Sequence, residues 1–163
     1  MEEFEKLYKE YYSRVYAFLY RLCKNRELTE EMTQDTFYEL YKSLHKYNGS
    51  CQLFTFIAAI AKNVYYKYVR KKKIECIDID SVEELQDLSD TPEEACLRNL
   101  KSVKIRKVVQ MLPQNYRDVV LLRVYADLTF PDIANVLGIS TSSAKVIFHR
   151  AKKILTEELF DEK

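Results

Sequence analysis

Apolar residues at the front of the chain recur with helical spacing. Phe4, Leu7, Tyr8, Tyr11, Val15, Phe18, Leu19 and Leu22 form one stripe at i, i+3, i+4 and i+7, which predicts an amphipathic helix over 4–23. Thr29 offers an N-cap with Glu30 and Glu31 behind it, and the helix it starts runs to about Lys46. Met32, Thr36, Leu40 and Leu44 lie on one line of it, flanked by Phe37 and Tyr41, with Glu31, Gln34, Asp35, Tyr38 and Lys42 on the other face. Asn48-Gly49-Ser50 is a turn signal. A third helix follows from about Thr55, burying Phe56, Ile57, Ile60, Ala61, Val64 and Tyr68 and exposing Lys62, Asn63, Tyr66, Lys67 and Arg70. No sustained period exists over 74–91, apart from one turn of helix near 82–85. Thr91-Pro92-Glu93-Glu94 then supplies a cap, an N1 proline and an acidic first turn for a helix reaching about Met111. Pro113 opens another through Val124, with Tyr116, Val119, Val120, Leu122 and Val124 available for a core. The pattern predicts an all-α chain of two small helical bundles, 1–73 and 92–163, joined by an acidic linker over 74–91. Each bundle is small enough to be marginal alone, so docking on each other or on a partner is expected.

Residues 125–153, YADLTFPDIANVLGISTSSAKVIFHRAKK, carry the densest local signals. Thr129 is placed as an N-cap, Pro131 falls in the first turn, and Asp132 sits at the favourable end of the dipole. Ile133, Ala134 and Leu137 follow at helical spacing. Gly138, one of two glycines in the chain, suits a left-handed helix stop. Ser140 or Thr141 caps the next helix, whose Ala144, Ile147, Phe148 and Ala151 turn inward while Lys145, His149, Arg150, Lys152 and Lys153 stay outside. A short helix, a glycine turn and a basic second helix make a helix-turn-helix, a unit that lays its second helix in the DNA major groove. The bland alternative is a helical hairpin with a solvated basic face. Caps, turn, apolar spacing and charge placement coinciding favour DNA binding.

Net charge changes nothing, because 26 Lys and Arg face 25 Asp and Glu in 163 residues. Its distribution does. Residues 62–73 carry six basic residues and no acid, whereas 74–97 carry nine acids and no Lys or Arg, so two surfaces with different work are expected. Cations interleaved with tyrosines on the third helix suit single-stranded nucleic acid, where rings stack on unpaired bases; a helix end whose lysines complement the dipole is the competing reading. Cys23, Cys51, Cys76 and Cys96 are widely spaced with no CxxC pair, and His45 and His149 lie far apart, which is poor metal-site spacing. No signal peptide and no bilayer-length apolar run are read, so reduced thiols and a soluble cytoplasmic protein are expected. No clustered acid, histidine or cysteine, phosphate loop or nucleophile motif supports an enzyme or calls for a cofactor.

The segment 112–155 (LPQNYRDVVLLRVYADLTFPDIANVLGISTSSAKVIFHRAKKIL) resembles region 4 of bacterial extracytoplasmic-function sigma factors. The segments 32–47 (MTQDTFYELYKSLHKY) and 54–73 (FTFIAAIAKNVYYKYVRKKK) resemble successive parts of their region 2. The resemblance implies a non-catalytic RNA polymerase subunit that recognises promoters and helps to open them. It implies that Glu31, Gln34, Asp35 and Tyr38 meet the clamp helices of the polymerase largest subunit, and that the flap region is a further polymerase contact. Tyr47, Asn48, Ser50, Gln52 and Phe54 would hold an unstacked base of the downstream promoter element, with polar edges and ring faces. Lys62, Asn63, Lys67 and Arg70 would touch the backbone of the opening duplex, and the acidic linker would run through the polymerase channel. Ser142, Ser143, Lys145, Val146, His149 and Arg150 would lie in or beside the major groove of the upstream element. Family members are usually held inactive by an anti-sigma factor, a partner that the exposed Tyr38 and Tyr41 would suit. Phe56 stands where the family usually has Trp, Ala59 and Lys67 where it has Arg and Asp, and Val146 and Ile147 where it has polar or basic residues. Shape readout of the upstream element is the expected compensation. The rival reading is a helix-turn-helix regulator acting without polymerase.

Overall fold

The computed structural model describes residues 1–71 and 104–160. The linker 74–91, the helix start at Thr91, Cys76 and Cys96 lie outside the described residues. Among the described residues there is helix and no strand.

The front half is built from α1 (Glu2–Cys23), α2 (Arg26–Ser43) and α3 (Leu53–Arg70). Three glutamates in the first turn of α1 complement its dipole, and Val15, Phe18, Leu19, Leu22 and Cys23 are its buried stripe. Lys24 ends the helix with φ 52°, its N–H bonding Tyr20 O at 2.7 Å. That abrupt stop moves the start of α2 forward. Asn25, not Thr29, is the cap, its side chain accepting from Leu28 N at 3.0 Å. Thr29 therefore falls one turn into α2, wholly buried, and its hydroxyl donates back to Asn25 O at 2.6 Å. Thr33 and Thr36, also buried, bond the carbonyls of Thr29 and Met32 at 2.7 Å each, so three buried hydroxyls are satisfied without leaving the helix. α2 stops at Ser43, and a 3₁₀ turn, Leu44–Lys46, replaces its expected last turn. α3 begins two residues before the expected Thr55. Phe54, Ala58 and Tyr65 join its buried stripe, while Phe56 and Ile60 are only half-buried.

In the rear half, 104–111 are helical (α4), and α5 (Gln114–Val120) starts from Pro113. α5 runs into one π-helical turn, Leu121–Tyr125. The wider turn shifts the phase of the helix, so Leu121 and Leu122 are buried while Val124, one of the residues available for a core, is exposed. α6 (Phe130–Leu137) and α7 (Thr141–Phe160) follow. Gly138 joins them with φ 67°, and an added Cβ would meet nothing within 4 Å. Its value is therefore conformational. Gly138→Ala is expected to lower the unfolding free energy by about 1 kcal/mol in a urea titration, with Gly138→Asn costing less.

Buried residues of both halves form one continuous apolar cluster. α3 packs on α6 and on the π turn, and α1 also reaches that turn, where Arg21 Nη1 donates to Tyr125 O at 2.9 Å. The expected docking is thus realised between the two halves themselves.

Candidate nucleic-acid and partner interfaces

Four surfaces carry the candidate residues. On α2, Glu31, Gln34, Asp35 and Tyr38 are all exposed, as their shared helical face predicts. Asp35 is also structural: its Oδ2 accepts from Tyr68 Oη of α3 at 2.6 Å. Burial, then the Asp35 carboxylate, pushes the Tyr68 phenol well above its ordinary value, so it stays a donor. Lys42 lies 4.6 Å over the Tyr38 ring and 2.9 Å from Glu39, an exposed pairing that solvent screens. A groove between α2 and α3 is lined by Asp35, Tyr38, Glu39, Ile60, Asn63 and Lys67.

The loop before α3 is held by its own polar atoms. Ser50 N–H bonds Asn48 Oδ1 at 3.0 Å, Gly49 takes φ 79°, and Tyr47 Oη donates to Cys51 O at 2.5 Å. Asn48, Ser50 and Gln52 are exposed and Tyr47 is half-buried. Phe54 departs from the expected arrangement. It is only 4% exposed, with Arg14 3.6 Å over its ring and Tyr11 stacked beside it. Because α3 starts at Leu53, the second residue of the helix turns inward. The ring standing with Tyr47 at the loop is Phe56, at 5.4 Å.

Along α3, Asn63, Lys67 and Arg70 are exposed, but Lys62 and Tyr66 are not on open surface. Lys62 is 8% exposed, its Nζ 3.9 Å from Asp118 Oδ1 of α5. Burial pushes its ammonium below the ordinary lysine value, and Asp118 partly opposes this. Tyr66 Oη donates to the same carboxylate, and the Arg117 guanidinium sits 5.3 Å over the Tyr66 ring. The spacing within α3 does place these two residues outward from the front bundle. The rear half covers them, which no helical period encodes.

The helix-turn-helix is built as its caps predict. Thr129 Oγ1 accepts from Asp132 N at 3.3 Å and donates to Asp132 Oδ2 at 2.8 Å, a reciprocal cap at the start of α6. Ser140, of the two candidates, caps α7, accepting from Ser143 N at 3.0 Å. Ala144 and Ala151 are fully buried, letting α7 approach its neighbours, and Phe148 meets Phe130 edge-on at 5.6 Å. Ser142, Ser143, Lys145, Val146, His149 and Arg150 are all exposed on the opposite side, with Val146 at 46%. No acid interrupts α7 before Glu157.

Among the described residues, no three His, Cys, Asp or Glu gather as metal ligands, and no helix is long and apolar enough to cross a membrane. Cys23 and Cys51 are free thiols, the first buried and the second half-buried.

An all-helical front unit docked on a helix-turn-helix with a basic, acid-free reading face is a DNA-binding transcription protein. The Sigma-70 region 2 model matches residues 7–74 and the Sigma-70, region 4 model matches residues 102–155. The chain belongs to the sigma-70 family, among its extracytoplasmic-function RNA polymerase sigma factors. It is 29% identical to the RNA polymerase sigma factor YlaC of Bacillus subtilis (strain 168), covering 97% of this chain and 92% of that one. It is 27% identical to the ECF RNA polymerase sigma factor SigM of the same organism, covering 93% and 91%. Its fold is similar to the sigma factor RpoE in complex with the anti-sigma factor NepR from Bartonella quintana, with TM-score 0.66, 19% identity and full coverage of both chains. CnrH in complex with the cytosolic domain of CnrY is similar at TM-score 0.67 and 16% identity, covering 98% of this chain and 89% of that one.

Proposed function

We propose that this sigma factor grips core RNA polymerase through Glu31, Gln34, Asp35 and Tyr38 of α2 and reads two promoter elements with different halves. The carrying observation is that the acidic face of α2 and the basic face of α7 are both exposed and belong to different halves of the chain. Acids on α2 suit a basic coiled-coil partner through charge-assisted bonds. At the loop, Asn48, Ser50 and Gln52 supply polar edges for an extruded base of the downstream element, with Tyr47 and Phe56 as the ring faces. Asn63, Lys67 and Arg70 follow the separated strand, and Lys62 joins them once uncovered. Ser142, Ser143, Lys145, Val146, His149 and Arg150 meet the upstream duplex. The protein works in the cytoplasm without chemistry of its own, on a stress or envelope regulon.

An anti-sigma factor is the proposed regulator. Tyr38 and Tyr41 stand 63% and 59% exposed beside the polymerase face, and the structural neighbour RpoE is in complex with the anti-sigma factor NepR. Run-off transcription with purified core polymerase on fragmented genomic promoters tests the whole reading. Defined transcripts dependent on added protein are expected. Duplex binding with no transcript from any template would leave only a regulator.

A further inference from the structure

Asp118, its side chain only 14% exposed, gathers two hydrogen-bond donors and an ammonium on one carboxylate. Tyr66 Oη donates to its Oδ1, Gln114 Nε2 donates to the same oxygen at 2.9 Å, and the Lys62 ammonium stands 3.9 Å away. Arg117, one residue earlier on α5, places its guanidinium over the Tyr66 ring. An ammonium, a phenol and an amide converging on one anionic oxygen is how proteins commonly hold a backbone phosphate. Two of the three groups, Lys62 and Tyr66, come from α3, each next in sequence to an exposed residue, Asn63 and Lys67, of the surface assigned above to the separated strand.

The energetics point the same way. An ion pair this buried stabilises little relative to apolar side chains of the same size, because both charges lose their water. In the docked arrangement the Lys62 charge does no more than offset the charge beside it. Among the described residues, Tyr65 of α3 also shares a side-chain hydrogen bond with Gln110, and Arg21 donates to Tyr125 O at 2.9 Å.

We propose that Asp118 is an internal substitute for a nucleic-acid phosphate, clasping Lys62 and Tyr66 so that the free protein hides part of its own strand-binding face. Parting of the halves releases both side chains to a real strand. This rests on the assignment of α3 to single-stranded DNA. If the clasp leaves about one molecule in ten open, apparent affinity for a strand is reduced about tenfold.

The test uses the full chain and a fluorescein-labelled 20-nucleotide single-stranded DNA of mixed sequence, followed by fluorescence anisotropy. Asp118→Asn should bind about tenfold more tightly than the parent protein. Asp127→Asn, an exposed site with the same change in net charge, should not. Tyr66→Phe keeps the stacking ring and adds no charge, and it should also tighten binding, which keeps the test decisive if Asp118→Asn folds poorly. Adding Lys62→Gln to Asp118→Asn should remove the gain, because the released cation is what meets the strand. Small-angle scattering should record a larger radius of gyration for Asp118→Asn. Equal affinities for Asp118→Asn, Tyr66→Phe and Asp127→Asn overturn the clasp. Run-off transcription by the parent protein with core polymerase is scored separately: its loss would remove the sigma-factor reading, whereas transcription with no unmasking removes only the clasp.

Discussion

Asp35→Arg is expected to cut affinity for core polymerase by at least about 100-fold, or roughly 2.7 kcal/mol, as charge reversal at a complementary contact costs several kcal/mol. The geometry adds a second effect that the exposed position alone hides. Tyr68 Oη donates to Asp35 at 2.6 Å, so the substitution also strips a charged acceptor from a phenol on α3. A stability loss of about 1–3 kcal/mol accompanies it. Tyr68→Phe separates the two effects, since it removes the α2–α3 bond and leaves the acidic face intact. It should lose comparable stability in a thermal melt while binding core polymerase within about threefold of the parent protein. Gln34→Arg, on the same exposed face, should weaken binding with no change in melting. Equal core affinity for Asp35→Arg and the parent protein would refute the placement of the clamp on α2. Equal losses for Asp35→Arg and Tyr68→Phe would reduce Asp35 to a structural acceptor.

The sequence was most informative where the signals are local. Thr129, Gly138 and Ser140 each set the chain's direction within three residues through one side chain or one dihedral, and the turn between α6 and α7 follows from them. The start of α2 failed on a local ambiguity. Asn25 and Thr29 are both good caps, and what decides between them is Lys24, which takes a left-handed stop without being glycine. Val124 shows a different limit: spacing leaves it one of five core candidates, and the π turn that puts it outside adds a residue to the helical repeat that no apolar spacing announces. Phe54 reads as a loop residue when α3 is started at Thr55; the helix begins at Leu53, and, three and four residues before the buried Ile57 and Ala58, Phe54 falls on their face.

Lys62 and Tyr66 are the instructive pair. Their helical phase was right for the front bundle, and they do point away from it. Their burial comes from Asp118, on a helix of the other half, so it is a tertiary fact with no trace in the spacing of α3. The same holds for Asp35, whose second role depends on Tyr68, 33 residues away. In both cases a charged residue chosen for a surface role also has a partner across a packing contact. Residues with one role were therefore easier to read than residues with two. The outer face of α7 is the simpler case, where Ser142, Lys145, Val146 and His149 recur at three- and four-residue steps and every one is exposed as that spacing predicts.

Arg150→Ala is expected to cost about 1–3 kcal/mol of discrimination between the preferred upstream element and a single-base variant, or roughly 5- to 150-fold. Arg150 is exposed on α7 one turn beyond Val146, on the flank of the face that turns away from the fully buried Ala144 and Ala151, so its guanidinium can present a two-pronged edge to a guanine. Lys145 offers a point charge instead, and Lys145→Ala should weaken all templates alike while lowering the slope of log affinity against log salt by about 1. The two substitutions therefore predict different shapes of loss. Competition between templates for holoenzyme, scored by run-off yield at two salt concentrations, distinguishes them. Should Arg150→Ala lower every template equally, Arg150 is a phosphate contact, and sequence preference falls to Val146, 46% exposed and able to meet a thymine methyl. Val146→Ser would then remove a preference for thymine at one position while leaving the salt slope untouched, because it changes an apolar contact and no charge.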